Sequence, residues 1–457
     1  MGVGLSGGLK TLSGMAQNFL SCDRDQVLLL PPDLREWLPA DHLARFVIEA
    51  VDELDLSEIY GYYRQDGLGR PAHDPAMMVA LVLYSYASGA TSSREIERRC
   101  VTDVPTRVIC ANRKPDHATI SNFLKRHRDS LSGLFFQVLG LCRRAGMVKV
   151  GTVAVDSTKL AANASATQNR TLEGLREEAR RIIDEAIETD RREDELYGDR
   201  RGDELPEELA DPRTRKARIR ELLEQAERER EQVEADRAEL VAKHKKHVAA
   251  TGRRIKGRPP KTGPNSIERK KLAKKYNLTD PDSGVVRHRG MLMQGYNVQT
   301  AVGDGQIILA ARAVGSSADR DQLAATVRDA QANLERIGVG DRIGEVLADS
   351  GYWNLRHVRQ LTAGGLGLLI PPIAGQIKDG RRASPETLEM IDRLGTPEGR
   401  QRYRCRQQIV EPVFAHIKHI RGITRVWRRG RAAVQAELDL IATSHNLLKL
   451  HTGLQTG

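Results

Sequence analysis

The chain reads as a mixed α/β protein, and three features of the sequence carry that reading. Short β-branched runs, "VGTVAVDSTKL" (150–160), "QGYNVQTAV" (294–302), "QIILAARAV" (306–314) and "IGEVLADSGYWN" (343–354), are strand-like. Residues 30–147 instead carry apolar residues at helical spacing, with no strand texture. Between the first and second strand-like runs lies a segment, roughly 165–285, that is almost all charge.

Taken in order, "LARFVIEAVDEL" opens the helical region, and two later helix starts are marked: Ser92 with Glu95 at capping-box spacing, and Asp116 as N-cap after Pro115. The fifteen residues "CVTDVPTRVICANRK" between those two helices leave two readings open. One is a loose helix-turn-helix with Lys125, Arg126 and Arg128 on phosphates; the other is plain helical packing. The first strand is expected to end on Asp156. The charged arm carries Ile219, Leu222, Ala226, Val233 and Leu240 in helical phase, and "GDELPEELADP" breaks it, which predicts a helical hairpin or coiled coil, or else a solvated helix pair. Residues 243–275 then hold thirteen Lys or Arg against one acid, Glu268. At their centre "RRIKGRPPK", with Lys256 and Arg258, resembles a minor-groove AT-hook; a solvated basic linker is the alternative. Next come a hairpin through "GDG", a helix capped by Asp319, a strand ending on Asp349, the run "GLGLLIPP", and a helix beginning near Glu411.

A net charge of +11 favours a polyanionic partner. Five scattered cysteines, never spaced CxxC, argue against a disulfide framework or zinc site and for a reducing cytoplasm. The longest apolar runs, such as "MMVALVLYSYA", are too short to span a bilayer, so no membrane is expected as partner.

Three acids stand in the places where chemistry is expected: Asp156, Asp349 and Glu411. Neighbouring strands lie about 5 Å apart, and carboxylates held that close repel unless a cation sits between them. Hard oxygen ligands suit Mg²⁺ or Mn²⁺, and two such ions can activate an attacking oxygen and stabilise a leaving one at phosphorus. Around Glu411 the bias is extreme, with ten Arg or Lys between Arg400 and Arg431 and no other acid.

"VAVDSTKL", "ADSGYWN" and "YRCRQQIVEPVFAHIK" together resemble the three catalytic motifs of bacterial insertion-sequence transposases of the DDE class. "GRPAHDPAMMVALVLYSYASGATSSREIE", "PDHATISNFLKRH", "NLTDPDSG" and "QGYNVQTAV" extend the resemblance over most of residues 30–450. It implies an RNase H-like mixed sheet flanked by helices (148–164 and 286–451), and an N-terminal all-helical domain (30–147) that binds the transposon ends. It also implies a charged helical insertion (165–285), with residues 1–29 and 452–457 as tails. Asp156, Asp349 and Glu411 would then be ligands of two Mg²⁺ or Mn²⁺ ions that cut terminal inverted repeats and join the 3′-hydroxyl to target DNA, in a homodimer on paired ends. The wider group carries a signature of Tyr, two residues, Arg, three residues, Glu, six residues, Lys. Glu411 and Lys418 keep the last spacing and are expected to share a helix face, whereas four residues separate Arg406 from Glu411, which leaves Tyr403 and Arg406 unassigned.

On this reading Arg402, Lys418, Arg421 and Arg425 clamp the strand beside the scissile bond, and Tyr352 and Trp353 offer a stacking platform for a base. His445, Asn446, Asn297 and Gln299 read as satisfied core polars. Two rival functions share much of this pattern: a DNA-binding protein without catalysis, and a nuclease that only hydrolyses.

Overall fold

The computed structural model describes residues 34–63, 71–181, 215–251, 275–288, 290–315, 318–373 and 383–456. Lys256, Arg258, the AT-hook-like segment and the break in the arm lie outside the described residues.

Seven helices come first: α1 (Leu43–Asp52), α2 (Ser57–Gly61), α3 (Pro75–Ala87), α4 (Ser93–Thr102), α5 (Val104–Ile109), α6 (His117–Arg126) and α7 (Arg128–Arg144). Asp116 caps α6 as expected, accepting from Thr119 N at 2.6 Å. The capping box at Ser92 does not form: Ser92 makes no side-chain cap, and the Glu95 carboxylate, which would supply the other half of the box, is in ion pairs with Arg98 and Arg99. The gap between α4 and α6 is filled by α5, whose cap, Asp103, binds both the N–H and the hydroxyl of Thr106.

The sheet begins with β1 (Thr152–Ala161), and the arm follows it. In the arm β2 (Asn169–Arg170) leads to helical residues 172–181 (α8), then α9 (Arg215–Thr251) and β3 (Tyr276–Asn277). Its base has a small core of its own, Leu172, Leu175, Leu222, Ala226 and Tyr276, which matches the expected helical phase at Leu222 and Ala226. After β4 (Gly284–His288) come β5 (Met291–Gly303) and β6 (Ile308–Val314), α10 (Leu323–Arg336), β7 (Glu345–Ala348), α11 (Leu355–Ala363) and β8 (Gly367–Leu369). Three helices close the chain: α12 (Pro385–Gly395), α13 (Pro397–Ala415) and α14 (Arg431–Thr456).

The strand order is β4-β5-β1-β7-β8, with β6 also on β5. β1 runs antiparallel to β5 and parallel to β7, and β7 parallel to β8. This is an RNase H-like mixed sheet. The edge of β6 is not left bare, since amide side chains of α14 take the place of a strand. Asn446 accepts from Ile308 N and donates to Ile308 O, both at 2.9 Å, and Gln435 does the same for Ala313 N and Ala311 O. A covered edge cannot recruit another chain, and Asn446 is the satisfied core polar its apolar surroundings suggested.

The N-terminal helices and the sheet share one continuous hydrophobic core, with α3 and α7 packed on α14. Arg421 fastens that joint. It is 5 % exposed and donates to Tyr86 O, in the last turn of α3, at 2.7 and 3.0 Å and to Ser444 Oγ at 2.5 Å. A cation at a helix C-terminus meets the negative end of the helix dipole. Burial with no carboxylate beside it nonetheless pulls the Arg421 guanidinium down to about 9. Gly89 (φ 87°) fits against the same residue, because a Cβ there would stand 2.2 Å from Arg421 O.

Candidate active site

The register of β1 against β7 builds the site. Val155 pairs with Ala348 in the parallel ladder, so the next residue on each strand, Asp156 and Asp349, stand side by side. Asp156 does not end its strand as expected; β1 runs five residues further because β5 stays paired with it to Ala161. Only β7 stops at this point, and Asp349 turns its chain by accepting from Gly351 N at 2.9 Å.

The Asp156 carboxyl is pushed up, first by burial and further by the charge of Asp349, while the Ser157 N–H and Arg406 pull it back. Arg406 reaches it from α13, Nη1 to Asp156 Oδ2 at 2.6 Å. Burial lowers the Arg406 guanidinium, but Asp156, Tyr403 and Asp349 raise it more. A cation thus already sits on the acid pair, and it is the arginine that sequence reasoning left unassigned.

Behind the pair, on the opposite face of β1, lies a second polar cluster. Asp319 accepts from Asn297 Nδ2 and Gln299 Nε2, each at 2.7 Å, and pairs with Lys159 Nζ at 3.4 Å. Burial alone would raise the Asp319 carboxyl, but those two amides and Lys159 hold it below its ordinary value. Lys159 also donates to Ser157 Oγ (2.8 Å) and Asn297 Oδ1 (2.6 Å). Asp319 therefore does not use its side chain as a helix cap, since the amides of β5 compete for it; Gln322 holds the N-cap position without a side-chain bond. Asn297 and Gln299 are satisfied, as expected. Tyr352 Oη donates to Gln299 Oε1 at 2.5 Å, so the network ties the turn after Asp349 to the strand that carries Asp156.

Glu411 is not brought to the pair. It lies near the C-terminal end of α13, not at a helix start, and Pro412 sits inside that helix. Arg406 and Glu411 are five positions apart, about 140° around the helix, so with Arg406 on Asp156 the Glu411 side chain leaves on another side and is exposed. Among the described residues no three His, Cys, Asp or Glu side chains gather as an ion cage. The two aspartates nevertheless fit a hard divalent ion, since Mg²⁺ is commonly held by one or two carboxylates with phosphate and water completing its shell.

The basic residues divide. Arg421 is a buried joint, as described above, and cannot be a strand clamp. Arg402 pairs with Glu345 Oε2 at 3.0 Å, close but not aligned as a hydrogen bond, and Glu345 begins the strand that Asp349 follows. It is therefore held at the wrong end of β7, because Glu345 is a buried acid that needs a cation. Lys418 lies half-buried in a π-helical turn, His416–Ile420, whose wider winding breaks the phase that would have aligned it with Glu411. Arg425, Lys125 and Arg126 are exposed.

Tyr352 and Trp353 are 0 % and 1 % exposed, so they are core residues and not a stacking platform. One exposed aromatic that sequence reasoning missed is Trp427, 42 % exposed, with the Arg425 guanidinium 5.7 Å from its ring and Nε1 on Thr91 Oγ1. Its signal was the "RVW" triplet in the basic stretch. His445 donates through Nε2 to Gln306 O at 3.0 Å, but its Nδ1 has no partner, so it is only half satisfied.

No helix among the described residues is long and apolar enough to cross a membrane. A family model described as Transposase domain (DUF772) matches residues 32–126, and one described as Transposase DDE domain matches residues 275–447. No curated protein and no solved structure matches the chain. With paired aspartates on an RNase H-like sheet and these two matches covering α1 to α6 and the sheet from β4 to β8, the chain belongs to the insertion-sequence DDE transposases.

Proposed function

We propose that this transposase cleaves the ends of its element and joins the 3′-hydroxyl to target DNA at a site built on Asp156, Asp349 and Glu411. The family uses divalent metal ions; here Asp156 and Asp349 would hold the first Mg²⁺ or Mn²⁺, and Glu411 would complete the set for a second. The ions supply Lewis acidity for in-line displacement at phosphorus. The chain's own residues orient the rest: the Asp319 network stiffens the strand under Asp156, and the basic surface around Arg425, Lys125 and Arg126 meets phosphate charge. Glu411 must move to reach the pair, and the π-helical turn that directly follows its helix is where the winding can change.

DNA ends would be bound by the N-terminal helices (30–147) and the basic arm (165–285), with two copies joining two ends. The observation that carries the reading is the register that sets Asp156 beside Asp349. The test is a labelled terminal-repeat substrate with Mg²⁺, comparing the native protein with Asp156→Asn, Asp349→Asn and Glu411→Gln. Nicking and joining by the native protein, with either aspartate variant inactive yet still binding DNA, is the expected result. Variants as active as the native protein would reject the site. Binding without cutting by the native protein would favour a non-catalytic role, and nicking without joining a nuclease.

A further inference from the structure

We infer that Arg406 is a built-in competitor of the divalent ion: it neutralises the aspartate pair when no metal is bound and must leave before an ion can take both carboxylates. The inference rests on the proposed reading of Asp156 and Asp349 as ligands. Three observations carry it. First, the contact is direct, Arg406 Nη1 to Asp156 Oδ2 at 2.6 Å, in a place where the Asp349 charge also acts on the guanidinium. Second, both partners are shielded, with side chains 12 % and 19 % exposed, so water screens the pair poorly. Third, Arg406 is under-bonded: its Nε is buried without a partner, and a guanidinium has five donors to place. A structural arginine is normally saturated, as Arg421 shows with bonds to Tyr86 O, Ser444 Oγ and Ile441 O.

A guanidinium and a divalent cation cannot share one carboxylate pair without repulsion, so each weakens the other's hold. The unused Nε donor gives Arg406 somewhere to go, because the non-bridging oxygens of a phosphodiester match the donor fork of a planar guanidinium. Metal binding and DNA binding then become linked: phosphate draws Arg406 off Asp156, and the vacated pair binds its ion more tightly. By reciprocity the ion also favours DNA. Such an arrangement keeps the site discharged until a substrate arrives.

The experiment measures Mn²⁺ binding to the full-length protein by electron paramagnetic resonance of the free ion, without and with terminal-repeat DNA. Arg406→Gln should bind Mn²⁺ at least tenfold more tightly than the native protein without DNA, and DNA should then add little further tightening. Arg402→Gln, on the same helix but paired with Glu345, should leave Mn²⁺ binding unchanged. A second measurement needs no variant: phenylglyoxal labelling of Arg406 in the native protein, read by mass spectrometry, should speed up when Mn²⁺ is added. Unchanged or weaker Mn²⁺ binding in Arg406→Gln, or labelling indifferent to Mn²⁺, overturns the inference. Asp156→Asn separates the two levels. If it loses Mn²⁺ binding while Arg406→Gln changes nothing, only the competition is wrong; if it still binds Mn²⁺ like the native protein, the ligand assignment itself has failed.

Discussion

The side-chain amide of Gln306 donates to the backbone carbonyl of Gln408 at 3.1 Å. Pro412 lies four residues further along α13 and has no N–H to give that carbonyl, so a residue from the β5–β6 turn supplies the missing donor. Gln306 holds a left-handed backbone (φ 61°) to do this, and Lys449 Nζ fixes its other side-chain atom at 3.0 Å. The proline beside Glu411 is thus tolerated because its defect is repaired from across the sheet.

Replacing Gln306 with Ala should lower stability by about 0.5–1.5 kcal/mol, the usual net worth of a hydrogen bond that water can partly replace. In a Pro412→Ala background the helix regains its own donor, and the same replacement should cost clearly less. Urea unfolding of the four proteins of this cycle checks the coupling. Additive effects would show that the Gln306 bond does not compensate the proline.

Arg421 and Arg425 sit four residues apart in a basic stretch and should behave oppositely. Arg421→Met strands the Tyr86 carbonyl and should destabilise the protein by about 3 kcal/mol, since hydrogen bonds to charged groups contribute about 1.5–3 kcal/mol each. Its DNA-binding salt slope should stay unchanged. Arg425→Gln should leave the melting temperature alone and reduce the slope of log K against log salt by about one.

Asp319→Ala leaves Lys159, 15 % exposed, beside two unmet amide donors. Removing one partner from such a cluster typically costs about 3–5 kcal/mol. Asp319→Asn keeps an acceptor and should cost less. Calorimetric melting of both variants decides; equal, small effects would mean that the network does not stiffen β1.

His445 makes stability acid-sensitive. Burial, helped by Arg421, holds its imidazole down to about 3, so the folded protein keeps it neutral while the unfolded chain takes up a proton below about 6.5. The unfolded state then binds more protons, so stability is full above about pH 6.5 and falls as pH drops through that window toward 3. Between pH 7 and 5 the contribution should be about 2 kcal/mol. His445→Gln retains a donor for Gln306 O and should flatten the decline in urea midpoint over that range; an unchanged decline would assign it to other groups.

Much of the sheet was legible because β-branched runs and their polar ends alternate plainly, and Asp349 does end its strand. The length of β1 was not, because pairing with β5 carries it past a polar residue that alone would signal a loop. The sequence grouped Asp156 and Asp349 with Glu411 as one set, and could not show that the strand register sets only the two aspartates side by side. The roles of the bases were not: charge in a sequence does not say whether an arginine faces solvent, as Arg425 does, or a helix terminus, as Arg421 does. Trp353 and Trp427 illustrate the same limit for aromatics, since burial depends on what the fold brings over them. The sequence places a helix start near Glu411, whereas α13 begins at Pro397 and carries Pro412 inside it, and the residue that makes that proline tolerable, Gln306, is about a hundred positions away.

The most direct measurement is an anomalous-scattering map of the protein crystallised with Mn²⁺ and cleaved terminal DNA. The account predicts a peak bridging the carboxylates of Asp156 and Asp349, with Arg406 withdrawn from Asp156 and Glu411 drawn toward the ions. Manganese bound elsewhere, with the Arg406–Asp156 contact intact on bound DNA, would contradict it.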